Sequence, residues 1–187
     1  MTNLNMRCLW AMDWRRITGM LAGAAAYGLL LWLTDALQLP NLLIVSPAPA
    51  VAIPVFCGLV WGPVAGFMAG ALGSALANWL SPGLAPGVFW AAGHGLLGLV
   101  AGISLLWGRD YRRWTDYLLA EVWALVSVFV SLDYRLLGEV SYGGLSPSAA
   151  REGVFGPAFL SHSVNALILV PVLLWLYHRW AAGRKEA

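Results

Sequence analysis

Between Asp35 and Arg109 the chain runs for 73 residues without a single Asp, Glu, Lys or Arg. A bilayer crossing takes about 20 apolar residues, so this stretch alone is long enough for three. Its breakers divide it: Trp61-Gly62-Pro63 reads as a tight turn, and the two prolines of Ser81 to Gly87 (SPGLAPG) mark a loop. The division predicts helices near 43–60, 64–80 and 88–107. An earlier apolar run covers 17–37, and two later ones cover about 116–137, with Glu121 inside it, and about 155–177. The pattern predicts an all-α polytopic membrane protein, a six-helix transmembrane bundle. Residues 1–16 form a cytoplasmic N-terminal segment, 17–180 the transmembrane domain and 181–187 a cytoplasmic tail.

The first run competes with a cleavable signal peptide, since Ala22, Ala24 and Ala26 resemble a cleavage site. The apolar run continues past them through Leu29, Leu30, Leu31 and Trp32, which predicts a retained helix. Pro47, Pro49 and Pro54 fall at the start of the second helix and predict irregular backbone there. A membrane tolerates such backbone only where protein or a wet cavity satisfies its polar groups.

Composition agrees with this pattern: 60% of the 187 residues are apolar and 11% charged, against roughly 45–50% and about 25% in soluble domains. Charge then sets the orientation. With six spans and a cytoplasmic start, nine of the eleven basic residues fall inside: Arg7, Arg15, Arg16, Arg109, Arg112, Arg113, Arg179, Arg184 and Lys185. Only Arg135 and Arg151 fall outside, as the positive-inside rule requires, and an odd number of spans breaks the agreement. The expected location is the plasma membrane, with both termini cytoplasmic.

Helices filling the chain leave no room for a soluble catalytic or nucleic-acid-binding domain. Within the spans there is no Ser/His/Asp order, paired carboxylate or HExxH motif, so no enzyme, cofactor or metal is expected. There is no GxxxxGK[ST] loop either, and the sole lysine is Lys185; energised transport then needs ATPases from partner subunits. Cys8 and Cys57 lack metal-ligand spacing and are expected to form no disulfide.

Small residues recur at helical spacing: Gly19, Gly23 and the pair Ala22 and Ala26 in the first helix, Gly66, Gly70 and Gly73 in the third, Gly95, Gly98 and Gly102 in the fourth. Such faces let helices approach closely.

The segment Pro47 to Leu80 resembles the second and third helices of the substrate-binding S components of energy-coupling factor (ECF) transporters. The match lies in Pro47, Pro49 and Pro54, the Gly62-Pro63 turn, and Gly66, Gly70 and Gly73. Asn165 to Arg179 (NALILVPVLLWLYHR) is similar to that family's last helix, with its mid-helix proline and Tyr-x-Arg end. The resemblance implies a subunit that captures a vitamin-like small molecule near the outer surface. It also implies docking to a transmembrane T subunit with two ATPases through an Ala-x-x-x-Ala motif, matched by Ala22 and Ala26. Nickel- and cobalt-specific members begin Met-His, whereas this chain begins Met1-Thr2, which disfavours a transition-metal substrate. The alternative is a membrane-embedded sensor or assembly module without transport activity. Such proteins usually carry an output domain, for which the ten residues after Tyr177 leave no room.

The candidate substrate-binding residues follow from depth. Trp90 and His94 stand one turn apart in the outer half of helix four, with His162 and Asn165 at comparable depth on helix six. Ser127, Ser131 and Tyr134 approach that level on helix five, as do Asn78 and Trp79 at the outer end of helix three. Buried polar groups in hydrocarbon face a bundle interior or a wet cavity. Helix-to-helix hydrogen bonding is the plainer explanation for His94 and His162. Trp10, Trp14, Trp107, Trp114 and Trp180 fit an aromatic belt at the cytoplasmic interface, and Glu121 fits pairing or snorkelling there. The polar stretch Asp133 to Glu152 is placed either to close over a bound molecule or to serve as a solvated connector.

Overall fold

The structure, a computed structural model, describes residues 12–36, 48–82, 87–107, 111 and 113–183. Several features expected from the sequence lie outside these residues: Met1-Thr2, Arg7, Cys8 and Trp10, the start of the second helix with Pro47, Pro86, Arg109 and Arg112, and Arg184 with Lys185.

Every regular element among the described residues is helical: α1 (Trp14–Ala36), α2 (Ala52–Trp61), α3 (Pro63–Leu80), α4 (Gly87–Ile103), α5 (Trp114–Ser141) and α6 (Gly156–Gly183). Among the described residues these six are the α-helices of ten residues or more. The helix that starts at α1, the one through α4, α5, and the run Pro147–Ala181 are each long and apolar enough to cross a membrane. The chain is a multi-pass membrane protein. At 1.5 Å per residue α3 reaches about 27 Å and α2 only about 15 Å.

The expected irregular start of α2 is a 3-10 turn, Pro49–Val51, in which Val51 N–H bonds the Ala48 carbonyl at 3.3 Å. Proline carries no N–H and fixes φ, so Pro49 is tolerated in the first turn, where that donor has no helical partner. One residue, Gly62, then joins α2 to α3 with φ 103°, a region that only glycine enters without strain. Pro63 opens α3, and the two helices fold back on each other with Gly58 against Gly66.

At the other end of the chain two boundaries move. α5 continues to Ser141, four residues past the expected stop at 137, and so takes in Glu139 as well as Asp133 and Arg135 from the polar stretch Asp133 to Glu152, read as a cover over a bound molecule or a connector. Polarity was a poor guide there because Arg135 and Gly138 face the bundle interior while Asp133 and Leu137 face outward. A single α-turn, Pro147–Ala150, and a π-helical turn, Arg151–Phe155, then lead into α6, which contains Pro171 and runs to 183.

α4 is central and packs on α2, α3 and α5; α1 lies against α3 and α2, and α6 against α5 and α2. Backbones touch at α3 and α4. A Cβ on Gly66 would stand 2.6 Å from the Gly98 carbonyl oxygen, and one on Gly70 would overlap the His94 carbonyl. The apolar core runs through Val55, Leu59, Leu97, Ala124, Val128, Val170 and Leu174. Tyr111, at φ 49°, is buried beneath it and donates its hydroxyl to the Leu59 carbonyl at 2.9 Å. At the opposite end Ser81 donates to Asp35 at 3.2 Å, tying the end of α3 to that of α1.

Candidate substrate-binding site

Near the Asp35 and Ser81 end, four helices bring polar side chains together around His94. Its Nδ1 lies 2.9 Å from Ser74 Oγ on α3 and its Nε2 lies 3.3 Å from a terminal nitrogen of Arg135 on α5. Tyr27 of α1 sets its ring edge-on to the imidazole, centroids 5.5 Å apart. All four residues are buried. Arg135 is a donor only, so Nε2 must accept, which fixes His94 as the neutral imidazole with its proton on Nδ1, donating to Ser74.

Arg135 is held on several sides. Its guanidinium lies over the Trp90 ring at 4.0 Å, a cation–π contact. Trp90 Nε1 donates in turn to Glu139 Oε1 at 2.9 Å. Ser131 Oγ donates to the Gly93 carbonyl at 2.6 Å and pins α5 to α4. Gly93 leaves room for the arginine stem, since a Cβ there would stand 2.7 Å from Arg135 Cδ. Phe89 stacks on Tyr134 and tilts against Tyr142, covering this end between α4 and α5.

Two atoms of the cluster, Tyr27 Oη and Arg135 Nε, are buried and have no hydrogen-bond partner among the described residues. Leaving a buried donor unmet costs about 1 to 3 kcal/mol, more for a charged group, and a charged side chain in a membrane interior usually serves a ligand or ion pathway.

The sequence candidates divide. Trp90, His94 and Ser131 belong to the cluster. Asn78 is half-buried one turn beyond Ser74 on α3. Trp79, 77% exposed, points away from the bundle. Ser127 is buried one turn deeper than Ser131 and donates to its own helix at the Ala124 carbonyl, 2.7 Å. His162 and Asn165 are half-buried on α6 and bond within it, to the carbonyls of Ala158 at 2.7 Å and Ser161 at 2.8 Å. These bonds use His162 Nδ1 and the Asn165 amide nitrogen, so the remaining heteroatom of each is an acceptor.

Two members, Tyr27 and Ser74, escaped the sequence reading, and two more, Arg135 and Glu139, entered it only within the polar stretch Asp133 to Glu152. A signal for two of them was present, because Ser127, Ser131, Arg135 and Glu139 recur every four residues and so share one helix face. Ala22 and Ala26, expected to meet a partner, are exposed on α1, whereas Gly19 and Gly23 pack inward on Trp61 and Cys57. Beside Ala22 a groove of 630 Å³ is lined by Arg15, Thr18, Gly19, Trp61, Tyr177 and Trp180.

A multi-pass bundle of apolar helices with a buried, donor-rich polar cluster toward one end has the architecture of a substrate-specific membrane subunit. Residues 15–180 match the family model for the S component of ECF-type riboflavin transporters, and the chain belongs to that family. It is a transporter subunit and not an enzyme. Neither the curated proteins nor the solved structures provide a match.

Proposed function

We propose that this chain captures riboflavin, or a close flavin relative, at the outer face of the plasma membrane and delivers it through an ECF-type ABC importer. The observation that carries the reading is the family match over residues 15–180, and the buried cluster around His94 supports it. A flavin is a flat heteroaromatic ring with polar edges. Trp90 offers an aromatic wall and Asn78, His162 and Asn165 offer orienting groups, the usual division of labour in a small-molecule pocket, while His94 and Ser131, bonded to Ser74, Arg135 and Gly93, hold that wall and Arg135 in place. Trp79 and Ser127 stand outside this set. Energy comes from a T subunit and two ATPases, docked against the Ala22 and Ala26 face.

Riboflavin titrated against the detergent-purified chain is expected to lose fluorescence as its ring stacks. Loss of one orienting hydrogen bond whose partner stays buried costs about 1 to 3 kcal/mol, so Asn165→Ala weakens affinity by roughly 5- to 150-fold, and His94→Ala, which releases Ser74 and Arg135 from their partner, weakens it in the same direction. Unchanged affinity in alanine variants of Trp90, His94, His162 and Asn165 alike would place the pocket elsewhere.

The six-span topology with both termini cytoplasmic belongs to the same proposal, resting on the distribution of basic residues. In a cysteine-free background, Tyr142→Cys, 79% exposed at the start, reacts with an impermeant reagent on intact cells. Arg113→Cys reacts only after the membrane is opened. Labelling of position 113 from outside would overturn the orientation.

A further inference from the structure

We propose that Arg135 and Tyr27 form a donor pair that selects the substrate by reading an acceptor edge, two carbonyl-type acceptors on a flat ring that is neutral or anionic. This inference rests on the flavin reading and adds to it which edge of the ring is buried and which residues choose it.

Among the described residues four buried polar atoms lack a partner: Tyr27 Oη, Arg135 Nε, Ser104 Oγ and Ser163 Oγ. The two serine hydroxyls are short rotors that can turn onto a carbonyl of their own helix. The other two cannot. Arg135 Nε–H points in a direction fixed by the planar guanidinium, and that plane is itself held by the Trp90 ring at 4.0 Å and by His94 Nε2 at 3.3 Å. The Tyr27 hydroxyl stands at the end of a rigid ring that is fully buried and packed edge-on to the same imidazole.

Both orphans therefore belong to one cluster and both are available as donors. His94 has no lone pair left to accept from them, since its Nε2 already accepts from Arg135 and its Nδ1 carries the proton that faces Ser74. Glu139, the carboxylate nearest in the helix register, accepts from Trp90 through Oε1 and receives no bond from either donor. What satisfies the pair must bring acceptors. The edge of an isoalloxazine ring that carries its two carbonyl groups does so, whereas its dimethyl edge offers none. A cationic ring would meet the buried Arg135 charge and be refused.

The test compares riboflavin with its 2-thio and 4-thio analogues, in which a thiocarbonyl, a poor acceptor, replaces one carbonyl. Binding is measured on the purified wild-type chain, Arg135→Lys and Tyr27→Phe, each first shown to be monodisperse with an unaltered melting temperature. Arg135→Lys keeps the charge and discards the Nε donor. Wild type is expected to bind at least one thio analogue about 5- to 100-fold more weakly than riboflavin, and the variant lacking the matching donor to lose most of that discrimination. A second measurement needs no variant: the infrared carbonyl stretches of bound riboflavin should move to lower wavenumber than in water. Wild type that binds riboflavin but shows no carbonyl shift, or equal discrimination in all three proteins, overturns the donor pair and leaves the flavin reading standing. Wild type that binds thiamine, a cation, and not riboflavin overturns both.

Discussion

Ala26→Trp, and equally Ala22→Trp, is expected to abolish flavin uptake by cells while leaving riboflavin affinity of the isolated subunit nearly unchanged. Both alanines are exposed on α1, on the face away from Tyr27, so the new indole does not enter the cluster around His94. The inward face of α1 is built instead from Gly19, Met20, Gly23, Ala24, Tyr27 and Gly28. Small residues matter where a second backbone comes close, and an indole there holds two helices apart. The loss should appear as failure of the variants to co-purify with the T subunit and ATPases. Variants that co-purify normally and transport at the wild-type rate would remove Ala22 and Ala26 from the docking surface.

Gly98→Val is expected to have the largest effect on stability. A Cβ at Gly98 overlaps the Gly66 backbone, and a Cβ at Gly66 stands 2.7 Å from Gly58 Cα. The obstructing atoms are backbone, so no rotamer change relieves the overlap, and α4 has to move away from α3. Overpacking costs about 1 to 3 kcal/mol where side chains can adjust, and occasionally more; a backbone obstruction belongs at the upper end. Separation of α3 from α4 also pulls Ser74 away from His94, so flavin affinity falls with the melting temperature. Gly153→Ala provides the contrast, since a Cβ there meets nothing within 4 Å and should leave both quantities unchanged. Gly98→Val melting at the wild-type temperature would show that this contact is looser than described.

How much of the site was legible depended on the range of each interaction. Trp90 and His94 could be paired because one helical turn separates them, and Ser131 could be assigned to their level by counting residues from a helix end. Counting gives depth and not direction. Trp79, next to Asn78 at the right depth, faces outward, and His162 and Asn165 bond their own helix. Arg135 is legible in the sequence only as part of the polar stretch Asp133 to Glu152, because its inward turn depends on Gly93 of another helix, α4, which supplies the space.

The sequence by itself determined what depends on composition and local order. A 73-residue stretch without charge requires a membrane, Gly62-Pro63 requires a turn, and glycines three and four apart require close helix packing, because hydropathy, φ restriction and helical periodicity act between near neighbours. Only the tertiary structure decided which helices meet. His94 joins Ser74, 20 residues away, and Arg135, 41 residues away, while Tyr111 reaches back 52 residues to Leu59. No local signal encodes such partners, since each pair exists only once α4 has packed on both α3 and α5. The two unmet donors of Tyr27 and Arg135 likewise became visible only after every other buried partner was in place.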